Sequence, residues 1–328
     1  MSPAVVLFTR DLRLHDQPAL AAAVAVAERV VPLFVFDDAV LGRFGAPNRV
    51  AFLLDALTDL KASLRARGGT LVVRRGEVVA ETLRVVGETG AGAVFLSEDV
   101  SSYAQARERR LRAACEGQGL ALCVLPGITV VPPGDLAPAG SHHYKVFTPY
   151  WRRWQLAPQR SLAPTPRRIA VPARLRAGRL PVLADLVRGA ASEALPKGGE
   201  SEGRRRVSRW LSRGLERYAS LHDSLDDAGT SRLGPYLHFG CLSPLDLVVR
   251  ASDRAGAQPF IRQIAWRDFY AQLLAARPET SRVDFRPRAG NSRSDAEGRA
   301  VHEPWKLARQ PAGYPEPILD PAGSLVAR

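Results

Sequence analysis

Short apolar runs alternate with amphipathic stretches through the first 130 or so residues. Residues 4–8 (AVVLF), 30–36 (VVPLFVF), 69–76 (GTLVVRRG), 91–99 (AGAVFLSED) and 120–127 (LALCVLPG) are short and almost uniformly apolar. That pattern predicts strands buried on both faces. Between them lie helical patterns: PALAAAVAVAERV, RVAFLLDALTDLKASLRARG, VVAETLRVVGETG and YAQARERRLRAACEGQG. Gly68, Gly90 and Gly119 stand where helix C-caps are expected. Strand–helix alternation at this spacing predicts a doubly wound α/β domain with a parallel sheet over residues 1–131. Ligands of such sheets bind beyond the carboxyl ends of the strands. The first strand is not followed by G-x-G-x-x-G, so the usual dinucleotide fingerprint is missing.

The pattern breaks at residue 132. PPGDLAPAGSHH and LAPQRSLAPTPRRIAVPARLRAGRLP are dense in Pro, Gly, Ala and Arg. Residues 132–199 therefore read as a long irregular connection with one ordered island at 144–154. Helical periodicity returns near residue 200, in ESEGRRRVSRWLSRGLERYASL, SPLDLVVRASDRAG and PFIRQIAWRDFYAQLLAARP. With strand signals gone, residues 200–328 read as a second, all-α domain.

Charge then narrows the partners. Lys plus Arg number 46 against 33 for Asp plus Glu, a formal charge of +13. Such a balance favours a polyanion, nucleic acid first. A GC-rich coding sequence is the other source of so many arginines, since only Lys61, Lys145, Lys197 and Lys306 are lysines. Cys115, Cys123 and Cys241 form no C-x-x-C pair and read as reduced, mostly buried thiols. The N-terminus reads as a strand rather than a signal peptide, and no apolar run is long enough for a membrane. The expectation is a cytoplasmic monomer.

Two clusters could carry chemistry. In the helix at 260–276, Gln263, Trp266, Arg267 and Tyr270 recur three and four apart, bringing amide, indole, guanidinium and phenol groups to one face. A flat aromatic beside polar donors suits a nucleobase or a flavin; plain core packing of Trp266 and Tyr270 is the competing reading. The second cluster is Tyr218 with Thr230-Ser231-Arg232, whose hydroxyls and guanidinium suit phosphate oxygens. Capping of the next helix by Thr230 or Ser231 is the alternative, and is compatible with anion binding. His222 and Asp223, adjacent on a helix, are expected to point apart at a surface turn.

At these residues the chain resembles the DNA photolyase and cryptochrome family. FTRDLRLHDQPAL (8–20), YKVFTPYWRRW (144–154), RYASLHDSLDDAGTSRLGPYLHFGCLSP (217–244) and RQIAWRDFYAQL (262–273) are similar to four family motifs in the right order. The resemblance implies light-driven repair of pyrimidine dimers in DNA. Reduced FAD, excited directly or through an antenna chromophore in the α/β domain, passes an electron to the dimer; the dimer splits and the electron returns. Tyr218, Thr230, Ser231, Arg232 and Leu233 match positions that hold the FAD phosphates and ribityl chain. Trp266 matches the tryptophan against which a flipped-out dimer packs, within a DNA-contacting set of Gln263, Trp266, Arg267 and Tyr270. Gln263 stands where repair enzymes carry Glu, and Gly234 where the family usually has Ser. Arg49 and Asp99 match antenna contacts. Ser101 stands where folate binders carry Glu, which favours a deazaflavin antenna over folate.

One departure is large. Residues 285–300 follow the family to the middle of its helical domain, and VHEPWKLARQPAGYPEPILD (301–320) resembles its extreme C-terminal tail. The segment that should lie between, with the Asp, Asn and Trp residues facing the flavin ring, has no counterpart here. The chain therefore resembles a deoxyribodipyrimidine photolyase with an internal deletion and a truncated all-α domain. A non-catalytic antenna- or nucleotide-binding remnant and a cryptochrome-like photoreceptor are the two other readings.

Overall fold

The computed structural model describes residues 2–173, 175–224, 229–283 and 285. Met1–Glu279 form one compact unit and Thr280–Arg328 another; the fold described is that of the first. The tail motif at 301–320 lies outside the described residues.

Each apolar run becomes a strand: β1 (Ala4–Phe8), β2 (Val30–Phe36), β3 (Val72–Arg75), β4 (Ala93–Ser97) and β5 (Ala121–Leu125). The sheet is fully parallel in the order β3-β2-β1-β4-β5. All residues of β1 and β2 are buried, because helices cover both faces. These are α1 (Pro18–Val26), α2 (Asp38–Phe44), α3 (Pro47–Arg65), α4 (Val78–Thr89) and α5 (Ser102–Glu116). The order reverses at β1, so the loop after β1 lies at the switch point of the sheet.

The expected C-caps hold in part. Gly90 caps α4 in the left-handed conformation at φ 64°. The caps of α3 and α5 are Ala66 and Gly117; Gly68 and Gly119 follow two residues later, also at positive φ. There they let the chain turn back into the next strand. Helix α2 was not expected from the pattern; Asp37 caps it, accepting from the Ala39 N–H at 2.8 Å.

The connection carries α6 (Phe147–Trp154) and α7 (Leu183–Leu186) and is otherwise irregular. It is not loose. Val73 N–H donates to the Ala177 carbonyl at 2.7 Å and Val30 N–H to the Ala170 carbonyl at 2.8 Å. The segment thus covers the open edge at β3. The helical part follows as α8 (Glu200–Arg213), α9 (Tyr218–Leu221), α10 (Gly234–His238), α11 (Pro244–Ala251) and α12 (Ala257–Ala276).

The loop after β1 fastens the two parts. Arg13 is 1% exposed. Its guanidinium donates to the carbonyls of His15, Asp16, Gly127 and Gly240. Glu200 accepts from the Leu14 and His15 N–H groups at 2.7 and 3.0 Å. Asp16 takes a two-pronged contact from Arg160 and a further hydrogen bond from Ser243. A buried cation is tolerated only when its donors are met, and here backbone carbonyls meet them.

Candidate functional site

The TSR run leads into α10, and the apolar residues behind it explain its position. Leu233 and Tyr236 are buried. Tyr236 packs edge-on against Phe52 of α3 and donates from its hydroxyl to the Lys197 carbonyl at 2.6 Å. Phe239 stacks on the same Phe52 ring. Gly240 ends the helix at φ 65°, where an added Cβ would lie 1.9 Å from the Arg10 carbonyl oxygen, so only glycine fits. The N-cap of α10 is Leu233 and makes no side-chain capping bond. Neither Thr230 nor Ser231 is therefore used as a cap. Arg232 sits at φ 51°, an uncommon backbone for a long side chain, of the kind that gathers at ligand sites.

A cleft of about 150 Å³ opens beside this turn. Tyr218, Thr230, Ser231 and Leu233 line it from one side and Gln263 and Arg267 of α12 from the other, with Gly234, Leu237, Phe260 and Ile264 as its apolar and backbone wall. Two clusters far apart in sequence thus share one cavity. Arg232 is exposed and does not line it. Burial, and then the Asp223 carboxylate, push the Tyr218 phenol up, so it stays a hydrogen-bond donor at neutral pH. Hydroxyl, phenol, amide and guanidinium donors facing one cavity are a donor set for phosphate oxygens.

The expected single face of α12 is divided. Gln263 and Arg267 point to the cleft, whereas Trp266 and Tyr270 stack on each other. Trp266 also lies flat on Phe147 of α6, ring centroids 3.6 Å apart and planes 9° apart. Phe147 in turn stacks on Trp151, and Trp151 on Trp154. Tyr270 is 61% exposed at the outer end of this column.

Asp268 and Gln272 are buried residues that the periodicity did not single out. Asp268 Oδ2 accepts from the Val130 and Val131 N–H groups at 2.9 and 3.1 Å and from Trp154 Nε1 at 3.0 Å. Gln272 exchanges two hydrogen bonds with the Tyr144 backbone. Two polar residues four apart, among Ile264, Ala265 and Phe269 on the buried stripe, were the available signal. Burial pushes Asp268 up to about 6 against the opposing Arg267 charge and its hydrogen bonds. Burial pulls Arg267 down, with Asp268 opposing. Arg267 also donates to the Ile128 carbonyl.

The antenna candidates stand apart from the cleft. Asp99 is buried at the carboxyl end of β4, pairs with Arg10 at 3.3 Å and accepts from the Ser101 N–H. Arg49 donates to the Phe44 carbonyl at 2.9 Å. Arg49 and Asp99 both act on His238, which partial desolvation first, and then Arg10, Arg49 and Arg267, lower to about 4. The ring is therefore neutral at pH 7. His222 and Asp223 do meet, at 3.3 Å, because the chain leaves α9 between them; Asp223 is 91% exposed, so the pair is a surface contact. Cys115 and Cys241 are buried and all three cysteines are free thiols. No helix among the described residues is long and apolar enough to cross a membrane.

A parallel sheet bolted through its switch-point loop to a helical unit defines a two-part α/β-plus-helical protein. The sequence profile of the DNA photolyase family matches residues 4–170. The chain is 47% identical over 320 residues to a deoxyribodipyrimidine photo-lyase of Streptomyces griseus, covering 96% of this chain and 69% of that one. A bacterial class III photolyase from Agrobacterium tumefaciens has a similar structure, with TM-score 0.80 at 23% identity, over 90% of this chain and 64% of the other. So has an archaeal photolyase from Sulfolobus tokodaii with two FAD molecules, with TM-score 0.69 at 23% identity, over 85% and 60%. The chain belongs to the DNA photolyase family. It spans between 60% and 69% of the length of these three proteins.

Proposed function

We propose that the cleft between α10 and α12 binds the pyrophosphate of FAD, and that the protein derives from blue-light repair of cyclobutane pyrimidine dimers. The observation that carries this is the convergence of Tyr218, Thr230, Ser231 and Leu233 with Gln263 and Arg267 on one cavity. These groups fit the ligand: hydroxyls and a phenol donate to phosphate oxygens, and the guanidinium offsets their charge. Arg267 holds the anion, with Arg232 exposed on the adjoining turn rather than in the cleft; Gln263 holds a base edge through its amide but cannot ionise or supply a proton. FAD, when bound, supplies light-driven one-electron chemistry.

Duplex DNA is the proposed partner, recognised first through phosphates by the +13 charge. Trp266, Tyr270 and Arg267 would meet the extruded dimer, whose bonds cannot be reached inside the stack. Arg49 and Asp99 belong to the antenna site, with a deazaflavin preferred. The protein is read as a cytoplasmic monomer.

We further infer that repair is impaired. The family segment that faces the flavin ring has no counterpart between the stretch at 285–300 and the tail-like stretch at 301–320. FAD is then held by its pyrophosphate alone and is lost on purification, so the purified protein is colourless and leaves dimers unrepaired under blue light. The test is a visible spectrum of the purified protein and a repair assay on an irradiated oligonucleotide. Stoichiometric bound FAD, or any light-dependent repair, would show that the retained half suffices and would overturn the impairment. Failure of inorganic pyrophosphate to bind the cleft would overturn the phosphate reading itself.

A further inference from the structure

Asp268 divides its two oxygens between different tasks. Oδ2 accepts all three hydrogen bonds, from Val130, Val131 and Trp154. Oδ1 is buried without a hydrogen-bond partner. Its nearest cation is Arg267 Nη1 at 3.8 Å, and the Asp268 side chain is fully buried. Arg267, 25% exposed, reaches from this pair into the cleft. Among the described residues, the charge that compensates this buried carboxylate is therefore a guanidinium that also lines the cleft.

We propose that Asp268 is the counter-ion of Arg267, and that an anion entering the cleft is bound with uptake of one proton from solvent onto Asp268 Oδ1. The proposal rests on the reading of the cleft as a phosphate site. An anion on the cleft side of Arg267 cancels the positive potential that keeps Asp268 ionised. A buried carboxylate deprived of its cation binds a proton instead. Linkage makes the effect reciprocal: protonating Asp268 frees the Arg267 charge for the anion. No bond other than the O–H bond is formed, and no electron moves.

The surroundings leave Asp268 as the group that titrates here. On its own helix it faces Arg267. From α6 it faces the Trp154 N–H and the Tyr150 phenol, which burial and the Asp268 charge push far above neutrality. From the segment after β5 it faces the Val130 and Val131 N–H groups. Arg267 feels Arg10 and Arg13 of the loop after β1 and Asp99 after β4. It also acts on His238, which at about 4 stays neutral above pH 5. Asp268 itself, near 6, changes charge within a convenient window.

The test uses the full chain and inorganic sulfate, a dianion throughout the range, at constant ionic strength. Wild-type protein is expected to bind sulfate about tenfold more tightly at pH 5 than at pH 7.5, the size of a one-unit coupling. Calorimetry at pH 6 in two buffers of different ionisation heat should show proton uptake on binding. Asp268→Asn keeps an oxygen for the three donors, and should bind sulfate equally at both pH values without proton uptake. Arg267→Gln should lose the site at both. Equal wild-type affinity at pH 5 and 7.5, no proton uptake, or a pH dependence that survives in Asp268→Asn would overturn the proposal and leave the cleft reading standing. Unchanged sulfate binding in Arg267→Gln would overturn both. If Asp268→Asn does not fold, the proton uptake of the wild type decides alone.

Discussion

Arg13 and Gly240 lie 227 residues apart in the chain, and the guanidinium of the first donates to the carbonyl of the second at 3.0 Å. The same guanidinium reaches Gly127 at 2.7 Å. One side chain thus ties the loop after β1 to the exit of β5 and to the end of α10. Arg13→Lys keeps the charge but not the fork, leaving buried carbonyls unmet. It should destabilise the protein by about 3 kcal/mol or more. Urea unfolding checks this; a loss under about 1 kcal/mol would mean that the carbonyls find other donors.

Gly234 and Gly240 should respond in opposite ways to a side chain. A Cβ at Gly240 meets the Arg10 backbone, whereas a Cβ at Gly234 meets nothing within 4 Å. Gly240→Ala should cost more than about 2 kcal/mol through strain and displacement of α10. Gly234→Ser should gain a few tenths to about 0.5 kcal/mol from the helix start. It should also tighten anion binding by adding a hydroxyl to the cleft wall. Thermal unfolding and sulfate titration of the two variants separate these effects.

Glu98 offers a pH-dependent prediction. Burial first, then Asp135, Glu108 and Asp99, raise it to about 7 from an ordinary 4.5. Its Oε1 is buried without a hydrogen-bond partner. A carboxyl raised in the folded state favours folding in acid, and that contribution is lost as the pH climbs from about 4.5 to 7. Glu98→Gln should therefore stabilise the protein at pH 8 by about 1–2 kcal/mol, after allowing for partial exposure. The gain should vanish at pH 4.5. Urea midpoints at the two pH values decide; an equal effect at both would assign the change to packing.

Asp16 and Asp246 run the other way. Both are held below the ordinary carboxylate range although burial alone would raise them: hydrogen bonds from Arg160 and Ser243 hold Asp16, and His15 with Arg250 and Arg204 holds Asp246. Their contribution is present above that range and is lost as the pH falls through it. The junction between sheet and helices should open first on acidification, before the strands. Hydrogen exchange at pH 3 to 4 should show Leu14 and His15 amides losing protection ahead of β1.

Duplex DNA binding should weaken steeply with salt, because a +13 chain releases counterions from phosphates. A binding constant that is the same in 50 and 200 mM salt, roughly the span over which such contacts show, would remove DNA phosphates as the main contact.

The strands were readable because burial on both faces leaves only apolar residues, and β1 and β2 match their runs residue for residue. The runs around β3 and β4 were longer than the strands, since Gly69 and Gly76 or Glu98 and Asp99 belong to the turns. Helix α2 escaped because none of its residues is buried, so it has no apolar stripe to betray it. In the cleft, Tyr218, Thr230, Ser231, Gln263 and Arg267 could be read from group chemistry and family resemblance. The partition of α12 could not: which side Trp266 takes depends on Phe147, more than a hundred residues earlier. Arg13 and Asp268 look like surface charges in sequence, and only long-range contacts reveal that they are buried.

The Arg13 bolt also sets a timetable for synthesis. A ribosome adding about 5–20 residues per second exposes Arg13 for roughly 10–45 s before Gly240 exists. Within that time Arg160 and then Glu200 are added, and Ser243 follows only after Gly240, so the hydrogen bonds that close the loop after β1 arrive one partner at a time. The nascent sheet must wait with its ligand-facing end unsealed. Nascent chains halted before and after residue 240 should differ sharply in protease resistance at residues 9–17, with the sheet itself protected in both.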